Sequence, residues 1–232
     1  MNIIVLLKPV PDLSKIKVSR SKGQVFETGK RILNSWDRSA LQLAVDLKKD
    51  HGGSIHAISL CRKEDSDILR EAFAMGADNC YQLTDSQFSG NDAYVNAVVL
   101  SQAISKLKPY DLILCGAQSD IGFSGQTGPR VAEALNVPQI TSVVSLTVEP
   151  DIITATAKIN DKTRDQKIKL PALVTVDKSI REPKIPNALM IMKAYKKEVF
   201  VWNVRDLELA LDQIGVQSSL TRVYSQYLAE TI

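Results

Sequence analysis

Several absences narrow the field before any motif is considered. No apolar run approaches the roughly 20 residues that a bilayer-spanning helix needs; stretches such as Ile3 to Leu7 fall far short, and membrane insertion is not expected. Cysteine is scarce. Cys61, Cys80 and Cys115 are an odd count at wide spacings, which fits neither a disulfide framework nor a zinc site and leaves them as buried small apolar residues. An excess of one charge is missing as well: a net charge of +3 gives no basic footprint for nucleic acid. The two histidines, His51 and His56, stand near no Cys or Glu at metal spacing. The Gly-x-Gly-x-x-Gly fingerprint and the lysine of a Walker A loop are absent, which removes an ordinary Rossmann dinucleotide site and nucleotide hydrolysis. Gly122-Phe123-Ser124-Gly125 is one residue short of a nucleophile elbow, and no histidine follows it, so a hydrolase triad is not supported. The chain opens directly on a strand-like segment with no cationic leader, and the expected compartment is the cytoplasm.

What is present is an ordinary globular composition, 44% hydrophobic and 24% charged over 232 residues, enough for one sizeable core. Short β-branched runs alternate with amphipathic helical patterns, the sign of βαβ units on a parallel sheet. The strand Ile3 to Leu7 ends at Lys8-Pro9-Val10-Pro11-Asp12, where two prolines stop both helix and ladder. A hairpin over Ile16 to Val18 and Gln24 to Glu27 turns at Arg20 to Gly23. A helix starts near Asn34 to Asp37, both good N-cap types, and carries Trp36, Ala40, Leu43, Ala44 and Leu47 on one stripe before ending at His51-Gly52-Gly53. Strand Ile55 to Leu60 leads to a helix bearing Ile68, Leu69, Ala72 and Phe73, closed by Gly76. Strand Cys80 to Leu83, a helix from Asp92 to Lys106, and strand Tyr110 to Cys115 follow, the last apolar enough to be central in the sheet. Beyond a helix with Val131 and Leu135, strands are expected over Thr141 to Val148 and on both sides of the turn Asn160-Asp161-Lys162. The first 150 residues should make the doubly wound core. After Asp177 the chain reads as an extended docking arm with helical hints at Leu207 to Ile214 and Val223 to Leu228.

In an open parallel sheet a ligand lies beyond the carboxyl ends of the strands, near the point where strand order reverses. The informative loop runs from Gly116 to Pro129 and leads into the Val131 helix. Four glycines allow close backbone approach, Ser, Gln and Thr side chains can donate to oxygen, and a helix N-terminus favours an anion. The same residues would also serve a flexible, well-capped loop.

Taken together, Ile-Val-Leu-Leu-Lys-Pro-Val-Pro-Asp at the start, Asn34-x-x-Asp37-x-x-Ala40-Leu41-x-x-Ala44, Ala74-Met-Gly-Ala-Asp78, Gly116-x-Gln118 with Gln126-Thr-Gly128, Lys169-Leu-Pro-Ala-Leu-Val-Thr175, and Glu182-Pro-Lys with Ile191-Met-Lys-Ala194 resemble, in order and spacing, the electron transfer flavoprotein β subunit. The resemblance reaches to about Lys197 and implies an adenine-nucleotide α-hydrolase-like fold without hydrolysis: a doubly wound, mostly parallel α/β sheet with a β-hairpin insertion and a C-terminal docking arm. Residues 1–176 would form the nucleotide-binding domain, and residues 177–232 the recognition loop and the arm that contacts the α subunit. It further implies AMP in this subunit, or a second FAD as in electron-bifurcating relatives whose own flavin is reduced by NADH. The shuttling FAD would sit at or near the interface with the α subunit. The implied nucleotide contacts are Pro9, Asn34, Asp37, Leu60, Gly116, Ser124, Gly125, Gln126, Thr127 and Gly128. Flavin dehydrogenases would dock at Glu182, Pro183, Ala188, Leu189, Ile191, Met192 and Lys193. No acid or base chemistry is implied.

The chain departs from the family pattern at named positions. Ala188 stands at the usual leucine anchor, Leu13 at a frequent aromatic, Cys61 at a glycine, and Asp120 is the one acidic residue before Gln126, placed early. A universal-stress-like or PP-loop protein is the alternative on the same fold, but it wants Ser-Gly-Gly-x-Asp-Ser after the first strand, where this chain has Lys8-Pro-Val-Pro-Asp12.

Overall fold

The computed structural model describes residues 1–19, 24–222 and 224. The first strand, β1 (Asn2–Leu6), is apolar from Ile3 onward because both its faces are covered: Ile3 and Val5 enter one hydrophobic cluster, Ile4 and Leu6 the other. Two-residue strands β2 (Pro9–Val10) and β5 (Ile32–Leu33) pair with each other, and between them β3 (Ile16–Ser19) and β4 (Gln24–Glu27) form the expected hairpin; its turn, Arg20 to Gly23, lies outside the described residues. Helix α1 (Ser35–His51) buries Ala40, Leu41, Leu43, Ala44 and Leu47 against the sheet and stops at Gly52, whose φ of 69° suits glycine.

Strand β6 (Ser54–Leu60), helix α2 (Asp67–Met75), strand β7 (Asn79–Leu83), helix α3 (Ala93–Ser105), strand β8 (Leu112–Gly116) and helix α4 (Thr127–Leu135) continue the alternation. A meander of β9 (Gln139–Val148), β10 (Ile152–Ile159) and β11 (Lys162–Lys169) follows, then β12 (Ala172–Val176), helix α5 (Ala188–Lys196) and β13 (Val199–Trp202). The nine-stranded sheet has the order β11-β10-β9-β12-β8-β1-β6-β7-β13. All neighbours from β9 to β13 in that row are parallel, and only the β9-β10-β11 end is antiparallel. The two hydrophobic clusters lie on opposite faces. Residues of α1 and α2 belong to one, residues of α3 and α4 to the other, so the sheet is doubly wound. Strand β8 is the central strand of the nine, as its apolar run predicts.

The expectation that the first 150 residues make the core needs correction. Strand β12 lies between β8 and β9 in the middle of the sheet, and β13 extends the far edge beside β7. The strands expected on both sides of Asn160-Asp161-Lys162 are present, and what chain position could not reveal is that a strand as late as β12 lies inside the main sheet. The helix expected over Leu207 to Ile214 is replaced by turns and a short 3-10 segment, Leu211–Gln213, because Val204, Leu207 and Ile214 drop separately into the α3 side of the core. The expected helix Val223 to Leu228 lies outside the described residues apart from Tyr224. The segment before it is clipped to α3: one Asp92 oxygen accepts the amides of Tyr94 and Val95, and the other accepts the Thr221 amide at 2.9 Å.

The Ala74 to Asp78 motif has a local physical cause. Gly76, with φ of 129°, closes α2 where a side chain would press on Val45. The Asp78 backbone N–H donates to Ile55 O, while its carboxylate accepts the Ile55 N–H at 2.8 Å and the Lys48 ammonium at 2.6 Å. Replacing Asp78 by Ala strands that amide. We expect a loss of about 1 to 3 kcal/mol in urea unfolding, against under about 1 kcal/mol for Lys48→Met, whose half-exposed ion pair is worth little. Equal losses for the two variants would contradict this reading.

Candidate functional site

Strands β6 and β8 flank β1 on opposite sides, and the chain reaches β6 through α1 but β8 only later; the carboxyl ends of β1 and β8 therefore mark the switch point. A cleft of about 800 Å³, counting its open mouth, lies there. Its floor includes Leu6, Leu7, Leu60 and Leu100; its rim includes Lys8, Asn34, Asn96 and the loop after β8.

Asp37 holds this end of the sheet together. Its buried carboxylate accepts the Lys8 amide at 2.9 Å and the Gly116 amide at 2.8 Å, joining the ends of β1 and β8 across the first turn of α1. Burial raises its pKa to about 6, because losing water outweighs the hydrogen bonds from Gly116, Asn34 and Lys8 that favour the charged form. Gly116 must be glycine here: a Cβ would lie 2.5 Å from Trp36 Cβ and 2.7 Å from Asp37 Oδ1.

The expectation that Asn34 and Asp37 cap α1 through their side chains is incorrect. Asn34 occupies the N-cap position, but its amide turns into the loop, donating to Gln118 O and accepting the Asp120 amide, each at 3.0 Å. Asp120 supplies the cap from outside the helix, accepting Ser35 N–H at 2.9 Å and Ser35 Oγ–H at 2.7 Å. Its early position relative to Gln126 thus has a structural cause. Lys8 completes the clamp by donating to Ser119 Oγ at 3.0 Å and Ile121 O at 3.2 Å. Although much of Lys8 meets solvent, the loop crowds its ammonium and lowers its pKa through desolvation.

Of the residues named from sequence, Asn34, Asp37, Leu60, Gly116, Ser124, Gly125, Gln126, Thr127 and Gly128 come together in the lining. Pro9 itself pairs with Leu33 in β2 and is not in the lining, but the backbone just before it is, at Leu7 and Lys8. Thr127 and Gly128 open α4, and Gly128 lets that helix rest on the sheet, since a Cβ would meet Thr175 Cγ2 at 2.5 Å and Cys115 Sγ at 2.9 Å. Gln126 lines the cleft, and its Oε1 accepts from the Arg130 guanidinium one turn further along. Sequence reasoning missed Lys8 and Asn96 as lining residues. A lysine at a strand's carboxyl end and an amide amid the apolar residues of a helix were the available signals.

Cys80 and Cys115 are buried as expected, and burial pushes both thiols far up; Cys61 is partly exposed and its sulfur accepts from Gln82. The docking residues lie outside the cleft. Glu182 and Pro183 precede Lys184, whose amide donates to Gln42 on α1, and Ala188 begins α5, a helix that sequence reading did not foresee although Asn187 caps it. Helix α5 is anchored by buried Ala194 and by Arg70, which donates to Ala194 O. Leu189, Met192 and Tyr195 on it are 59%, 63% and 64% exposed, and Ile191 and Lys193 are exposed too. Among the described residues no helix is long and apolar enough to cross a membrane.

The fold and the cleft define a doubly wound α/β protein with a candidate ligand site at its topological switch point. The family model for the electron transfer flavoprotein domain matches residues 22–207. The electron transfer flavoprotein β subunit of Thermoanaerobacterium thermosaccharolyticum is 37% identical over 225 residues, covering 96% of this chain and 86% of that one. The caffeyl-CoA reductase-Etf complex subunit CarD of Acetobacterium woodii is 31% identical, covering 98% and 87%. The acryloyl-CoA reductase electron transfer subunit gamma of Anaerotignum propionicum is 30% identical, covering 98% and 88%. The chain belongs to the electron transfer flavoprotein β-subunit family, and the universal-stress or PP-loop alternative gives way to it.

The Asp37 carboxyl makes a pH prediction. Its folded pKa lies above the unfolded value of 3.8, so its contribution to stability is present below pH 4 and is lost as pH rises through about 6. In urea unfolding, the advantage of wild type over Asp37→Asn should be widest near pH 4 and shrink by the order of 3 kcal/mol towards pH 7. An advantage that grows with pH would mean that the hydrogen bonds outweigh desolvation.

Proposed function

We propose that this chain binds AMP in the cleft and pairs with an FAD-carrying α subunit, shuttling electrons between flavin dehydrogenases and a quinone reductase or other acceptor. The carrying observation is the cleft itself, with its apolar floor of Leu6, Leu60 and Leu100 at one side and the start of α4 at the other. The donor set fits an adenine nucleotide: backbone amides from Gly125 to Gly128 with the Ser124 and Thr127 hydroxyls suit a phosphate, and Lys8 adds positive charge at the rim. On this reading the fold is of the adenine-nucleotide α-hydrolase-like class, and the loop that would bind catalytic ATP there serves to hold a structural nucleotide. When bound at the interface, the partner's FAD supplies the redox chemistry. This chain's residues fix the nucleotide and shape the wall beside it.

The exposed apolar face of α5, flanked by Lys193 and Lys196, suits an anchor within a charged rim and is proposed as the dehydrogenase-docking surface, with Leu189 taking the anchoring role beside Ala188. The arm after residue 177 would contact the α subunit. A second reading, in which the cleft holds FAD reduced by NADH, draws support from the relatives named as subunits of a caffeyl-CoA reductase complex and of acryloyl-CoA reductase.

Co-purification with the partner subunit, acid release of ligands and quantification per heterodimer test these readings. One AMP with one FAD is expected; two FAD would establish the second reading, and the absence of any nucleotide beyond the partner's FAD would overturn both. Changing Gln126 and Thr127 together to Ala should lower nucleotide retention about tenfold while far-ultraviolet circular dichroism stays unchanged.

A further inference from the structure

Helices α1 and α4 both begin at the cleft, with Asn34 at one start and Gln126 to Gly128 at the other, and only one of these starts is open to an anion. At α1, the N-cap Asn34 is buried and turned into the loop, while the Ser35 amide and hydroxyl donate to Asp120 at 2.9 and 2.7 Å. Asp37 adds a second carboxylate in the first turn. A phosphate arriving there would meet the negative charge that already answers the helix's positive end. The start of α4 differs. Gln126 makes no side-chain cap bond, no acidic residue lies in the first turn, and Pro129 has no N–H, so the amides of Thr127 and Gly128 are left to donate.

Asp120 also fixes the loop that leads to those amides. Its backbone N–H donates to Asn34 Oδ1, Asn34 Nδ2 donates to Gln118 O, and the Lys8 ammonium holds Ser119 and Ile121. Residues 118–121 are thereby tied to the end of β1 and the start of α1. The chain then turns back through Gly122, Phe123 and Gly125, with φ of 92°, 45° and 60°, and Gly125 returns so close to Ala117 that a Cβ would stand 3.2 Å from its carbonyl oxygen. Among the described residues no hydrogen bond from another segment holds Gly122 to Gly125. The course of this stretch therefore depends on the ties before it and on α4 after it.

We propose that Asp120 is a positioning residue for the nucleotide: it closes the start of α1 to anions and holds the loop so that the amides leading into α4 receive the phosphate. The inference rests on the nucleotide reading and names the side chain that assigns the phosphate to one helix start. It holds for AMP and FAD alike, since both carry phosphate.

The test titrates the ligand-stripped heterodimer calorimetrically with AMP and with FAD. Whichever nucleotide wild type binds, Asp120→Ala should bind it about tenfold more weakly. Asp120→Asn, whose amide can accept from the Ser35 N–H and donate to its hydroxyl, should stay within about twofold of wild type. In amide NMR of the isotope-labelled chain within the same heterodimer, inorganic phosphate should shift Thr127 and Gly128 of wild type and leave Ser35 in place, whereas in Asp120→Ala it should shift Ser35 as well. The wild-type spectrum decides the matter even where the alanine variant fails to fold. A folded Asp120→Ala protein with wild-type affinity, an asparagine variant no better than the alanine, or a wild-type Ser35 amide that moves with phosphate overturns the role of Asp120 and leaves the nucleotide reading standing. Failure of wild type to bind either nucleotide overturns that reading and the inference with it.

Discussion

A single buried carboxylate sets the geometry on which the cleft depends. Where two parallel strands part at a switch point, their last amides lose neighbouring carbonyls and still need acceptors. Asp37 answers both at once, one oxygen for Lys8 and one for Gly116. Because it projects from the first turn of α1, it also fixes that helix against the ends of both strands, and the absence of a Cβ at Gly116 is what lets it approach. The second tier follows from the first. With the start of α1 fixed, Asn34 and Ser35 meet the loop after β8, and Asp120 closes the circuit by capping the helix from across the cleft. The loop that reads as flexible by composition is held by side chains from two other segments.

Much of this was legible in sequence. The alternation of elements, the central place of β8, and the convergence of the loops after β1, β6 and β8 follow from apolar runs and the geometry of parallel sheets. What was not legible depended on contacts distant in sequence. Asn34 and Asp37 have the composition of helix caps, and only the position of residues about 80 places further on redirects them. Pro9 sits within a recognisable motif, yet its pairing with Leu33 removes it from the lining. The segment after Asp177 reads as an arm because its apolar residues are scattered. Val204, Leu207 and Ile214 are core residues all the same, and each is delivered by a turn where a continuous helix was expected.

The parallel part of the sheet is covered on both faces and carries the cleft, whereas the β9-β10-β11 end buries one face and presents a polar edge of Lys162, Arg164, Lys167 and Lys169. Such an edge discourages pairing with stray strands. Helix α5 contrasts with it, displaying Leu189, Met192 and Tyr195 to solvent on a rigid element anchored to α2 through Ala194 and Arg70. The polar edge and the apolar face of α5 thus belong to separate elements, and neither contributes a residue to the lining of the cleft.

The placement of β12 bears on the order in which the molecule can be built. Strands β8 and β9 are consecutive in the chain, yet they never touch as ladder partners because Ala172–Val176 lies between them. While synthesis proceeds from the N-terminus, a nascent chain that has not reached residue 172 leaves the facing edges of β8 and β9 open, and that of β8 is apolar and destined for the centre of the sheet. Until β12 arrives, the growing polypeptide is most exposed to wrong pairing at the place where the finished protein is most deeply buried.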